Sequence, residues 1–206
     1  MHAPATLLAL LPFLSTAVFA QNITGQLGDA KIITNNVPNT TYRAVLTGKV
    51  SGSLNATSQD AGKAVSFTLE VKGLPVGAGP FSAFFPLFDL NPTKYHIHEK
   101  PVPSDGNCTG TGAHLDPYIR TQTPACDYSR PATCEVGDLS GKYGAIGSNY
   151  SSVVKIFNDL YVATNPADNS FFGNLSFVIH DASSARIACA NFTKVATTGD
   201  GDACDD

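Results

Sequence analysis

The sequence predicts an all-β domain, a sandwich or a barrel. Three observations carry this: short runs that alternate apolar and polar residues, Gly- and Pro-rich turn clusters between them, and no stretch with sustained helical periodicity. Residues 43–51 alternate around Val45 and Val50, and residues 64–71 (AVSFTLEV) alternate with β-branched side chains. Residues 95–98, 153–162, 171–180 and 186–194 read the same way. Gly52-Ser53, Asp60-Ala61-Gly62 and Gly77-Ala78-Gly79-Pro80 read as turns, in keeping with 18 Gly and 13 Pro over the chain. Many short strands joined by polar turns are the pattern of sandwiches and barrels.

A hydrophobic content of 43% in 206 residues supplies a core for one domain and excludes wholesale disorder. A formal charge of −4 leaves no basic footprint for nucleic acid. Residues 1–20 lack Asp, Glu, Lys and Arg, carry an apolar run over residues 7–14, and end in Val18-Phe19-Ala20. This predicts a secretory signal peptide cut before Gln21, because the run is too short to span a bilayer. Seven N-x-S/T sequons, at Asn22, Asn39, Asn55, Asn107, Asn149, Asn174 and Asn191, predict a glycoprotein that is secreted, extracellular or cell-wall associated. Residues 21–195 form the expected domain. Residues 196–206 form an acidic polar tail, so release rather than anchoring is expected. Asp200, Asp202, Asp205 and Asp206 read as solvated, without the spacing of a calcium loop.

Residues 100–149 stand apart. They have little strand character and hold three Cys and one His. Structureless segments beyond about 15 residues are uncommon unless functional or cross-linked. Phe81, Phe84, Phe85 and Phe88 read as core packing rather than as a binding patch. Five Cys in a secreted chain imply disulfides.

Beyond the signal peptide four His remain: His96, His98, His114 and His180. Side chains alternate across a strand, so His96 and His98 point one way while Ile97 points the other. That pair is half of a chelate. His180 ends the run Phe177-Val178-Ile179-His180, and His114 lies in the long segment. Imidazole ligands suit Cu, Zn, Ni or Fe, and an all-nitrogen tetragonal set favours Cu(II). With no Met after Met1, a soft axial thioether is ruled out, which disfavours a blue-copper site.

Tyr95-His96-Ile97-His98-Glu99, Cys108, Gly112-Ala113-His114-Leu115-Asp116-Pro117, Gly137-Asp138-Leu139, Val178-Ile179-His180 and Arg186-Ile187-Ala188-Cys189 follow in that order. The pattern, spanning about residues 43–192, resembles the copper/zinc superoxide dismutase family. The resemblance implies a Greek-key β-sandwich of about eight antiparallel strands. It also implies a copper centre that converts superoxide to oxygen and hydrogen peroxide by Cu(II)/Cu(I) cycling. His96, His98 and His180 match copper ligands, and His114 matches the histidine that bridges copper and zinc. Arg186 matches the guanidinium that orients the anionic substrate. Cys108 and Cys189 match the disulfide tying the long loop to the sandwich, and Asp138 matches a zinc ligand. Cys126 and Cys134 remain in the loop and are expected to pair. Cys204 is left over, its fate open.

Two departures matter. The family's zinc site takes three His and one Asp, but no His lies between His114 and His180, and Glu135 stands three residues before Asp138. Only eight residues separate His180 from Cys189, where the zinc-binding type has a longer charged loop. Both losses resemble the fungal extracellular copper-only branch, so copper is expected and zinc is not. Either Glu135 or Asp138 is then a candidate to fix the second nitrogen of His114. The residues leave room for a non-catalytic copper-binding domain at the cell surface, or for an adhesion module with incidental His. Oligomeric state is not set by the sequence; a monomer is favoured.

Overall fold

A computed structural model describes residues 24–59, 61–77 and 92–196. Among them seven strands form one curled antiparallel sheet: β1 (Thr41–Leu46), β2 (Ser51–Ser58), β3 (Val65–Lys72), β4 (Lys94–His98), β5 (Ser152–Asp159), β6 (Ser176–His180) and β7 (Arg186–Lys194). Their order across the sheet is β4-β6-β7-β1-β2-β3-β5. About eight strands are expected from the resemblance; the described residues contain seven. The signal peptide, the Asn22 sequon, the four Phe between 81 and 88, and residues 197–206 with Cys204 lie outside the described residues.

β3 shows why the alternation works. Val65, Phe67, Leu69 and Val71 are buried, while Ser66, Thr68, Glu70 and Lys72 face outward. It pairs with β5 over its full length, from Val65↔Asp159 to Lys72↔Ser152. The inner faces close on a continuous core in which Leu54, Phe67, Leu69, Tyr95, Phe172 and Phe177 are fully buried. Phe67 stacks on Phe157 at 5.2 Å, and Phe172 meets Phe192 edge-on at 4.9 Å.

Four expected assignments are corrected. The run 43–51 is not one strand: β1 ends at Leu46 and the chain reverses into β2, which the alternation does not separate. Gly52-Ser53 is not a turn but lies inside β2, where Gly52 adopts φ +139°. A Cβ there would meet the Glu70 carbonyl of β3 at 1.9 Å, so the close strand approach needs glycine. The run 171–180 contributes a strand only from Ser176, because residues 173–175 turn and Leu175 N donates to Phe172 O. The run 153–162 likewise stops at Asp159, whose carboxylate accepts the backbone N–H of Tyr161 and Val162 and turns the chain.

The segment 100–149 is ordered without strands. It holds 3-10 turns at Cys108–Thr111 and Pro131–Thr133 and a five-residue helix α1 (Leu139–Tyr143) capped by the Asp138 carboxylate. Cys108–Cys189 ties it to β7 with a Cα separation of 5.7 Å, and Cys126–Cys134 closes a loop within it. With its ends 81 positions apart in sequence, the first bridge stabilises by about 4–5 kcal/mol in the chain-entropy model.

Candidate metal centre

β4 supplies the first pair of imidazoles. Tyr95 and Ile97 enter the apolar core, while His96 and His98 are buried on the other face. β6 lies beside β4 in antiparallel register, Lys94 opposite His180, which brings the third imidazole alongside. The fourth comes from the long loop through a three-way backbone seam. Leu115 N donates to Ile97 O (2.9 Å), Ile97 N to Gly137 O (2.9 Å) and Gly137 N to Leu115 O (2.8 Å). Gly137 permits this contact, since a Cβ there would lie 2.3 Å from Ile97 O. The seam sets His114 opposite His98 and presents Glu135 and Asp138 to the same space.

One nitrogen from each of the four His can meet within 4.8 Å, and all four residues are buried. The other ring nitrogens have fixed jobs. His98 Nδ1–H donates to Gly112 O at 3.0 Å and His180 Nδ1–H to Ser184 O at 3.1 Å. Their Nε2 atoms then face each other at 3.2 Å, both with a lone pair free. His114 Nδ1–H donates to Glu135 Oε2 at 2.5 Å. His96 is turned the other way: its Nε2 meets Ser140 Oγ at 3.0 Å and Asp138 Oδ1 at 3.4 Å, while its buried Nδ1 has no hydrogen-bond partner. A buried, unpartnered nitrogen beside three imidazoles that offer lone pairs is what a metal of the copper type fits.

Burial holds the His96 imidazole down at about 4, against the opposing pull of Asp138. Burial and the neighbouring His114 hold His98 at about 3, and His180 is also lowered, mainly by burial. These rings are neutral at neutral pH. Burial pushes Asp138 upward, but the hydrogen bond and charge of His96 and the Gly141 N–H outweigh it and hold the carboxyl at about 2.

The two carboxylates left open by the sequence are thus divided: Glu135 takes the ring of His114, and Asp138 that of His96. Arg186 lines the same cavity of about 480 Å³. Its Nη1 donates to Cys108 O, Thr109 O and Thr111 Oγ1, and its Nη2 to Gly112 O at 2.6 Å. Sequence reasoning missed Ser140, Arg120 and Lys142. Arg120 and Ser140 also line the cavity, and no spacing rule singles out any of the three.

No family model matches the chain. The copper-bound structure of superoxide dismutase 5 from Candida albicans superposes with a TM-score of 0.63 and 36% identity, over 80% of this chain and 97% of that one. The chain belongs to the copper/zinc superoxide dismutase family. A cell surface Cu-only superoxide dismutase of Arthroderma benhamiae is 40% identical over 91% of this chain. Cell surface Cu-only superoxide dismutase 5 of Candida albicans is 37% identical over 81% of it. The chain spans 55% of the first relative's length and 66% of the second's.

Proposed function

We propose that this chain is a copper-dependent superoxide dismutase acting without zinc, secreted or held at the cell surface. The observation that carries it is the donor pattern: four buried rings, three with one nitrogen pinned and the other turned inward, and one with an inward nitrogen left unpartnered. His96 Nδ1 and the Nε2 atoms of His98, His114 and His180 would hold copper, which supplies the one-electron redox chemistry that zinc lacks.

The protein's own residues do the rest. Glu135 fixes the His114 tautomer, so that Nε2 is the atom that takes and passes a proton as peroxide leaves. The Arg186 guanidinium draws the superoxide anion toward the four rings. Four hydrogen bonds to the loop hold that guanidinium in place. Both carboxylates beside His114 engage imidazole rings, Glu135 that of His114 and Asp138 that of His96, which supports a copper centre working without zinc. The cavity is far larger than superoxide, so access is open and selection among small anions loose.

Glycans fit best at Asn39, Asn149 and Asn174, which are exposed in turns. Asn55 is half-buried against Ser53 Oγ, and the Asn191 amide pairs in both directions with the Val102 backbone.

Stopped-flow measurement of superoxide decay by copper-loaded protein tests the function. Rapid turnover is expected. Tight copper binding with no turnover would reduce the chain to a copper-binding domain, and about one zinc per copper after zinc exposure would overturn the copper-only reading.

A further inference from the structure

We infer that the buried Lys142–Asp159 pair positions Glu135, and through it the ring of His114. The inference rests on the reading of Glu135 as the group that fixes the bridging imidazole. Neither side chain of the pair has any exposed surface. Lys142 Nζ, on α1, donates to Asp159 at the end of β5 and to Val136 O at 2.8 Å. Asp159 also accepts Tyr143 OH at 3.0 Å and the backbone N–H of Tyr161 and Val162 at 2.6 and 2.9 Å. The carboxylate is thereby fully engaged, and the ammonium is left aimed at one backbone carbonyl.

That carbonyl belongs to the residue after Glu135. On the other side of Glu135 a second buried cation does the same: Arg120 Nε donates to Thr133 O at 2.7 Å, and its guanidinium also takes Thr121 O, Pro124 O and Ala125 O. Glu135 is therefore bracketed on the chain by two carbonyls held by buried charges, with the Cys126–Cys134 bridge immediately before it. Burying an ion pair is a poor route to stability, since apolar replacements of similar volume are often neutral or stabilising. Directional bonds that fix one carbonyl are what such a pair adds. Here the fixed carbonyl adjoins the residue whose 2.5 Å contact sets the His114 tautomer.

The test is the charge-neutral double variant Lys142→Met/Asp159→Asn, which avoids stranding one buried charge. The expected result is a folded protein in which the His114 Nδ1–H signal in nitrogen-edited NMR of the copper-free form shifts or is lost, and the Cu(II) EPR parameters change. Copper affinity or turnover should fall by roughly 10-fold to 100-fold. Combined with Glu135→Gln, the double variant should add little further loss, because both act on the same ring. Tyr143→Phe, which removes a single donor from Asp159, should shift the same signals less. Native NMR and EPR signatures in the folded double variant, or in Tyr143→Phe should the double variant not fold, overturn the positioning role. If wild-type copper protein shows no dismutation, the functional reading falls, and the NMR and EPR signatures still decide the role of the pair.

Discussion

The sheet and the long loop are both well ordered, but different forces hold them. The sheet closes on Leu54, Phe67, Leu69 and Phe177 by burial, which is strong but not directional. The loop owes its shape to two disulfides, the Gly137 seam and two buried cations gripping named carbonyls. Much of the scaffold's packing lies away from the four imidazoles, whereas the loop's seam and carbonyl contacts adjoin the residues that touch those rings.

Several changes would break or sharpen that contrast. The largest effect is expected from removing a ligand. His180→Ala should leave the fold intact while turnover and copper stoichiometry collapse, with a rate loss above the roughly 100-fold ceiling of outer-partner changes, as metal analysis with stopped-flow decay would show. Phe67→Ala is the converse. It should cost about 3–5 kcal/mol of stability by calorimetry and leave the rate of the copper-loaded protein unchanged at temperatures where it stays folded. Arg186→Ala should keep copper yet lower kcat/KM by about tenfold and flatten its dependence on ionic strength; an unchanged rate would remove Arg186 from the mechanism.

A further test, which leaves the covalent structure unchanged, is the pH dependence of the copper-free protein. His96 and His98 sit at about 4 and about 3 in the fold, against about 6.5 in an unfolded chain. Between those values the unfolded chain binds more protons, so stability rises with pH. Melting temperature should therefore be full above pH 6.5 and decline as the pH falls toward 4. Copper, which competes with those protons, should abolish most of the slope.

The sequence makes the clustered histidines and most strands legible because the His-Ile-His pair and the strands depend on local spacing. The His-Ile-His alternation follows from strand geometry, and β7 runs over the residues its pattern marks. The β1–β2 reversal is hidden because the apolar alternation runs on through the turn residues. The division of labour between Glu135 and Asp138 is hidden for another reason. It is set by the seam at Gly137, whose partners Ile97 and Leu115 are remote in the chain. Lys142 and Asp159 are 17 residues apart and belong to different elements, so no local pattern pairs them.

Because Gly137 lets the loop press flat against β4, the contact that docks the loop is the same one that brings His114 beside the other three imidazoles. A protein that has oxidised its bridges and seated this loop presents a finished receptacle. A larger side chain at that one glycine would meet the Ile97 carbonyl and pry the loop from β4 without altering any of the four imidazoles.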